Sequence, residues 1–338
     1  MNLRPLAGEE GMWKFESMSY KIAKVKYKRE DFLSIFLDRI GKPLKQSVSL
    51  KDYSNFRIGG KADYFFEAST IQELVSSIVL ARSISIPYYL IGGGNNLLFD
   101  DDGFPGLIIK NEAAGKERRG KKQIEVLSGN PLGDVLQFSI EEELAGFEFL
   151  AGIPGTIGGA VFGNAGAFDQ NIGDFLREAL ILNQKGEQVR VNRDYFEFGY
   201  RQSILKKRPE ILLQAVFELH QGEREKAEAK VESNLEVRRK KHPPEGTAYP
   251  GSYFKNVVLP DGKKVPAGYY LEKVGAKTMR EGGALVYSGH ANFIINQGNA
   301  SARDVRRLAQ DLKRRVKEEF GIELEEEVIF LRADVSLP

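Results

Sequence analysis

Two clusters of glycine hold the residues of this chain best suited to gripping a charged ligand. Seven glycines lie within the twenty-two residues from Gly146 to Ala167, GFEFLAGIPGTIGGAVFGNAGA, with bulky apolar residues between them. Glycine permits positive φ and close approach of backbone, and the run is too apolar for a flexible linker. Backbone N–H groups packed in this way form a concave nest for an anion such as a diphosphate. Taken alone, the run serves equally well as a set of tight turns closing an apolar sheet. The second cluster tips the balance. In Tyr88-Tyr89-Leu90-Ile91-Gly92-Gly93-Gly94-Asn95-Asn96-Leu97-Leu98 an apolar strand enters a glycine turn and leaves it again. Two nests in one fold point to a long, two-part phosphate ligand.

Neither cluster is a common nucleotide motif. Gly92 to Leu97 lacks the third glycine of the dinucleotide fingerprint and runs into Phe99-Asp100-Asp101-Asp102-Gly103 instead of a helix. No glycine pair is followed by Lys-Ser or Lys-Thr, so a P-loop is excluded. A nucleotide bound here is held mostly by backbone.

Composition narrows the remaining chemistry. The 338 residues include no cysteine, which rules out disulfides, thiolate metal sites and a cysteine nucleophile. Three widely separated histidines argue against a histidine-ligated metal, and none is expected. Reactive groups must therefore be oxygen and nitrogen side chains or a cofactor. A content of 42% hydrophobic and 28% charged residues is ordinary for a globular protein, and the length calls for more than one domain. No apolar run reaches the roughly 20 residues that span a bilayer, and no apolar leader follows the N-terminal charges. The expectation is a cytoplasmic protein with no membrane partner. With 49 basic and 47 acidic residues intermingled, nucleic acid is not implied as a partner either.

The elements that must position these clusters fall into an ordered series. Residues 1–50 are charged and end in an amphipathic stretch, Phe32, Ile35, Phe36 and Ile40, at helical spacing; they read as an appended N-terminal arm. Residues 51–222 alternate strands with a few helices. One helix opens with a capping box, Thr70 and Glu73, before Ile71, Leu74, Val75 and Ile78; another opens at Asn130-Pro131 and carries Leu132, Val135, Leu136 and Ile140. Residues 223–245 form a charged helical connector stopped by His242-Pro243-Pro244. Residues 246–332 hold glycine-punctuated strands and a last helix, capped by Ser301 with Asp304, whose apolar face is Val305, Leu308, Leu312 and Val316. No internal repeat is present.

Seven motifs in order then carry a family resemblance. They are Ser54-Asn55-Phe56-Arg57-Ile58-Gly59-Gly60, the glycine-asparagine turn at 92–97, GIPGTIGGAVFGNAGA, Phe198-Gly199-Tyr200-Arg201-Gln202-Ser203, Gly251-Ser252-Tyr253-Phe254-Lys255-Asn256, His290-Ala291-Asn292-Phe293, and Leu324-Glu325-Glu326-Glu327-Val328. From about Ser54 to Phe330 the chain resembles the UDP-N-acetylenolpyruvoylglucosamine reductases, flavin enzymes of bacterial cell-wall precursor synthesis. It is similar to the shorter of the family's two forms, since little room remains between Arg201 and Ser252 for an extra loop. The fold so implied is α+β: an FAD-binding domain of the vanillyl-alcohol oxidase type in two subdomains, then a C-terminal α+β domain that covers the sugar nucleotide. Non-covalent FAD as cofactor, NADPH as co-substrate, a UDP-sugar as partner and a monomeric state accompany that reading.

The resemblance also implies roles. The family's reaction delivers hydride to C3 of an enolpyruvyl ether, and negative charge grows at C2 and on the adjoining carboxylate. Arg201 matches the family's catalytic arginine, a fixed cation suited to that carboxylate. Ser252 matches the proton donor to C2, a role that needs water excluded and a neighbour, Lys255, to favour its ionisation. Glu327 matches the glutamate near the same carboxylate, useful if held protonated as a donor. Flavin contacts are implied for Arg57, Gly92, Gly93, Gly94, Asn95, Asn96, Leu97, Ile153, Pro154, Gly155, Thr156, Gly158, Gly159, Asn164, Gly166 and Ala167. Substrate contacts are implied for Tyr200, Arg238, Lys255, Asn256 and His290; Arg238, at a helix end, reads equally as a solvated charge. Asn95 and Val257 depart from the family pattern, which has serine and proline there. Two alternatives stand beside this reading: another FAD-dependent oxidoreductase of the same superfamily, and a non-catalytic nucleotide-binding protein. Presence of Arg201, Ser252 and Glu327 together speaks against both.

Overall fold

A computed structural model describes residues 31–332. Helix α1 (Phe32–Ile40) follows from the apolar spacing, with Phe32 and Phe36 buried and Leu33 and Leu37 outside. Phe36 meets Phe66 edge-on at 4.9 Å between ring centres, and Phe32 meets Tyr64 at 5.1 Å. This corrects the reading of an appended arm. From residue 32 onward the segment belongs to the first layer, because two phenylalanines fully removed from water contribute more than its charges would lose. Strand Lys45–Ser49 likewise forms the edge of the first sheet; residues 1–30 lie outside the described residues.

That sheet runs Lys45–Ser49, Lys61–Ala68, Phe104–Asn111, Tyr88–Ile91, antiparallel at the first pair and parallel at the others. Helix α2 (Ile71–Ser83) makes the crossover. The Thr70 hydroxyl accepts from the N–H of Glu73 at 3.1 Å, as the cap predicts. The Glu73 carboxylate instead takes the N–H of Ser69, so the reciprocal half of the box is shifted by one residue.

The second layer is an antiparallel sheet of five strands, Gln188–Asn192, Leu176–Leu182, Ile211–Glu218, Gln123–Leu127 and Lys116–Arg119. Helices α3 (Leu132–Glu141) and α4 (Ile157–Gly163) cover it, and Ile124, Val126, Leu136, Ile157, Ala215 and Phe217 share their core. Pro131 is the residue before α3, not its first turn. Helix α5 (Arg224–Arg239), the charged connector, is laid along this layer: the buried Asn234 amide donates to the Glu148 carbonyl at 2.8 Å. Arg82 fastens the layers to each other, donating to the carbonyls of Asn183 and Pro209 at 2.8 and 2.6 Å.

The C-terminal unit packs helices α6 (Ala267–Lys273) and α7 (Ala302–Phe320) against the meander Arg280–Glu281, Ala284–Val286, Ile294–Asn296. The Ser301–Asp304 capping box forms, and Val305, Leu308, Leu312 and Val316 are buried as the pattern requires. Three links dock this unit on the first layer. Asp101 accepts the N–H groups of Ala302 and Arg303 at 2.7 and 3.1 Å, a carboxylate placed where the helix dipole favours it. Asn296 donates to the Phe56 carbonyl at 2.8 Å. Strand Ile329–Leu331 leaves its own unit and pairs in parallel with Leu97–Phe99, directly after the upstream glycine turn.

Candidate active site

The two glycine clusters, some sixty residues apart in sequence, face each other. A Cβ placed on Gly93 would lie 3.4 Å from the Gly155 Cα and collide with the Asn95 side chain; one on Gly92 would strike the Thr156 hydroxyl. Gly155 has φ +134, a backbone region open in practice only to glycine. The side-chain oxygen of Asn95 sits between the turns, so the departure from serine here supplies a longer group that fills the gap. Among the described residues the N–H groups of Gly93, Gly94 and Asn95 meet no protein acceptor, which leaves them for a ligand.

Not every residue assigned to this cradle is free to serve it. The N–H of Gly158 is taken by the Ser128 carbonyl at 2.7 Å, and that of Gly159 by the Thr156 hydroxyl that caps α4. Glycine at 158 serves packing, since a Cβ there would press on the Ser128 carbonyl at 3.1 Å. Asn164, with φ +45, uses both ends of its amide internally, donating to the Gly199 carbonyl and accepting from Gly173. Asn96 donates to the Glu327 carbonyl at 2.8 Å. Leu97 is buried in the first layer, Ile153 packs on the second, and Arg57 projects into solvent from a residue with φ +54.

Arg201 stands on a tight turn. Gly199 and Gln202 exchange both backbone hydrogen bonds at 3.1 Å, so Tyr200 and Arg201 are the turn's two central residues, and Arg201 takes φ +55. Its Nε donates to Glu327 Oε1 at 2.6 Å and its NH2 to the Gly166 carbonyl at 3.0 Å, which ties the substrate candidates to the C-terminal end of the second glycine cluster. Glu327 is thus a carboxylate acceptor here, where the resemblance suggests a donor. The Tyr200 ring lies between Arg201 and Lys264, whose cationic groups stand 5.4 and 4.7 Å from its centre. Its hydroxyl accepts from the N–H of Asn256, and burial pushes its pKa up.

Ser252 arrives by a different route. Residues 253–255 run antiparallel to 325–327: Lys255 N–H bonds the Glu325 carbonyl and Glu327 N–H bonds the Tyr253 carbonyl, each at 2.8 Å. Asn292 clamps the same segment through Phe254 N–H and its carbonyl. Ser252, half-buried beside Tyr253, therefore sits one peptide from the anchor of Glu327. Lys255 is buried with its ammonium paired to Glu325, so it is not held for Ser252 as expected. Val257, in place of proline, uses its position to pair with Val265.

Arg238 belongs to the same region. Its guanidinium lies 5.7 Å over Phe168, its side chain touches the space above Gly152, and its Nε is buried with no partner. Burial, then the field of Arg201, weighs against its charge. A half-buried guanidinium with an open Nε fits a phosphate. His290 stacks on Phe293 at 4.2 Å and accepts from Asn292 N–H, helping to hold the loop that clamps Phe254. His242 lies on the same phenylalanine at 4.9 Å, so two histidines separated in sequence meet in space; among the described residues no cluster suited to a metal ion is present.

Comparison with known proteins agrees with this architecture. Residues 62–192 match the family model of an FAD binding domain, and residues 244–331 match the C-terminal domain of UDP-N-acetylenolpyruvoylglucosamine reductase. The enzyme of that name from Clostridium botulinum (strain Eklund 17B) is 35% identical over 291 residues, covering 86% of this chain and 94% of its own. That of Lachnoclostridium phytofermentans is 38% identical over 299 residues, covering 85% and 92%. The chain belongs to the UDP-N-acetylenolpyruvoylglucosamine reductase family. The crystal structure of the reductase from Thermus caldophilus superposes with a TM-score of 0.69 at 30% identity, over 85% of this chain and 98% of that one. Membership in the reductase family carries FAD as cofactor, and the open amides of the facing turns together with the orphaned Arg238 Nε suit its diphosphate or the substrate's. Sequence reading did not single out Lys206, Lys264 and Phe168, which lie against the Arg201 carbonyl, the Tyr200 ring and the Arg238 guanidinium. The adjacent turn residues Phe168 and Asp169 take φ +52 and +60 without being glycine, and such strain is invisible in a sequence.

Proposed function

We propose that the protein reduces UDP-N-acetylglucosamine enolpyruvate to UDP-N-acetylmuramate with NADPH, a step of peptidoglycan precursor synthesis, and so serves cell shape and division from the cytoplasm. The observation that supports this most is the convergence of Arg201, Glu327 and the Ser252 segment from three distant stretches of chain beside the glycine turns. FAD, which the facing glycine turns would hold, would supply the hydride chemistry between NADPH and C3 of the enolpyruvyl ether. Arg201 then faces the substrate carboxylate and stabilises the charge that grows on it, with Glu327 and the Gly166 carbonyl fixing the guanidinium plane. The Ser252 hydroxyl gives its proton to C2 on a half-buried segment held by Asn292. Tyr200, Lys255, Asn256 and His290 line the UDP-sugar side, and Arg238 neutralises a phosphate.

In this reading residues 51–222 bind FAD, with α1 and strand Lys45–Ser49 added to their first layer; 223–245 connect and 246–332 cover the substrate. The protein acts as a monomer without nucleic-acid or membrane partners. Among the described residues no helix is long and apolar enough to cross a membrane. The alternatives, a different oxidation on the same scaffold or binding without turnover, leave the Arg201–Glu327 pair without a task.

The test is direct. Purified protein should be yellow, acid precipitation should release all the colour to the supernatant, and NADPH oxidation should depend on the enolpyruvyl sugar. Colourless protein, colour retained in the pellet, or oxidation indifferent to the sugar would overturn the assignment.

A further inference from the structure

Arg201 occupies a left-handed conformation that a side chain of its size does not choose unaided. Three contacts hold the turn that imposes it. Asn164 donates to the Gly199 carbonyl at 2.9 Å, and the Ser203 hydroxyl donates to the Phe162 carbonyl at 2.8 Å. The third is Lys206, whose ammonium donates to the carbonyl of Arg201 itself at 2.8 Å. Lys206 ends the short 3-10 turn Ile204–Lys206, which the buried Ile204 and Leu205 anchor to the second layer. Its ammonium also lies 5.6 Å from the centre of the Phe162 ring.

The Lys206 side chain is exposed to solvent. Desolvation, and then the Lys255 ammonium, lower its pKa, while Glu327 and Glu325 oppose them, so it shares one field with the proposed active-site groups. Bonding the Arg201 carbonyl fixes the peptide plane that follows Arg201. With that plane set, the guanidinium is directed at Glu327 and at Gly166.

We propose that Lys206 is a positioning residue for the reaction: its ammonium holds the left-handed backbone of Arg201 so that the guanidinium faces the substrate carboxylate. This rests on the role given above to Arg201. Nothing in the residue type announces it, because a lysine three residues past Ser203 reads as a surface charge.

Lys206→Met keeps the stem over Phe162 and removes the donor; Lys206→Arg restores one. In stopped-flow the Met variant should be reduced by NADPH at a rate within about twofold of normal, while its maximal rate of reoxidation by the enolpyruvyl sugar falls about tenfold with little change in half-saturation. Lys206→Arg should recover most of that loss. On an Arg201→Ala background, Lys206→Met should add no further slowing, as expected for two groups acting through one. Amide exchange at Gln202 and Gly199 should speed up by about tenfold in the Met variant while the thermal midpoint holds, a readout independent of turnover. A raised half-saturation at unchanged maximal rate would make Lys206 a substrate ligand and overturn the proposal. So would equal slowing on both backgrounds, or unchanged amide exchange. If wild-type protein is not reoxidised by the sugar, the assigned function fails, and the amide exchange still decides whether Lys206 holds the turn.

Discussion

Arg201 Nε and Glu327 Oε1 stand 2.6 Å apart across 126 residues of sequence, one side chain on the turn between Gly199 and Gln202 and the other on the segment that leads from the C-terminal unit into strand Ile329–Leu331. Both are half-buried, with side chains 23% and 19% exposed, so the pair is neither a screened surface bridge nor an isolated buried one. Docking of the C-terminal unit thereby brings Glu327 to Arg201. The backbone of Glu327 is itself held from both sides, its carbonyl by Asn96 and its N–H by Tyr253.

Arg201→Ala should slow turnover by about 100-fold or more and leave flavin bound, because the guanidinium contacts Glu327 and the Gly166 carbonyl, whereas the facing glycine turns are proposed to hold the cofactor. Loss of a charge-assisted contact that strengthens in the transition state costs on the order of 3 kcal/mol or more. Flavin content by absorbance and the steady-state rate check this together; near-normal rate would remove Arg201 from the site.

Ser252→Ala should separate the half-reactions. Flavin bleaching by NADPH should stay near normal, and reoxidation by the enolpyruvyl sugar should slow about 100-fold, the usual scale for a lost general acid. Ser252→Cys should recover part of the rate, a thiol being the stronger acid. Collapse of the first half-reaction with a fast second one would reassign Ser252 to nicotinamide binding.

Gly155→Ala should weaken flavin binding with little effect on the fold. The nearest atoms to the added methyl are 3.6 Å away, so space is available, but φ +134 is forbidden to alanine. Strain of about 1–3 kcal/mol translates into roughly 5- to 150-fold in affinity. Gly94→Ala is the contrast: its methyl would collide with the Tyr53 carbonyl, and soluble protein should be lost. Equal flavin affinity in wild type and Gly155→Ala would argue against the cradle.

Stability should fall on acidification through His242. Burial first, then Arg238, His290 and Lys241, lower its pKa from 6.5 to about 4. Because the folded value is the lower one, the unfolded chain binds more protons between those two pH values, so stability is complete above about pH 6.5 and drains as pH falls toward 4. For a ring only partly buried the loss is on the order of 2 kcal/mol, and the His290 shift acts in the same direction. Thermal midpoints at pH 7 and 4.5 should therefore converge in His242→Gln relative to wild type. An unchanged difference would place the acid sensitivity elsewhere.

Sequence alone determined the two glycine clusters as turns, the apolar faces of α2, α3 and α7, and the caps at Thr70 and Ser301, and it singled out the motif residues Arg201, Ser252 and Glu327. These features are local: periodicity and capping follow from residues three or four apart, and a motif travels with its own few neighbours. What only the tertiary structure decided is what depends on contacts between distant segments. Residues 32–49 joined the first layer because Phe32 and Phe36 found Tyr64 and Phe66. Gly158, Gly159, Asn96 and Asn164, assigned together to the cofactor, bond within the protein, because backbone amides go to whichever acceptor folding brings nearest. Lys255 paired with Glu325, and Lys206, which no motif marks, came to rest on the carbonyl of Arg201. Sequence supplied the reactive groups; their aim was set by which carbonyls and carboxylates the fold brought beside them.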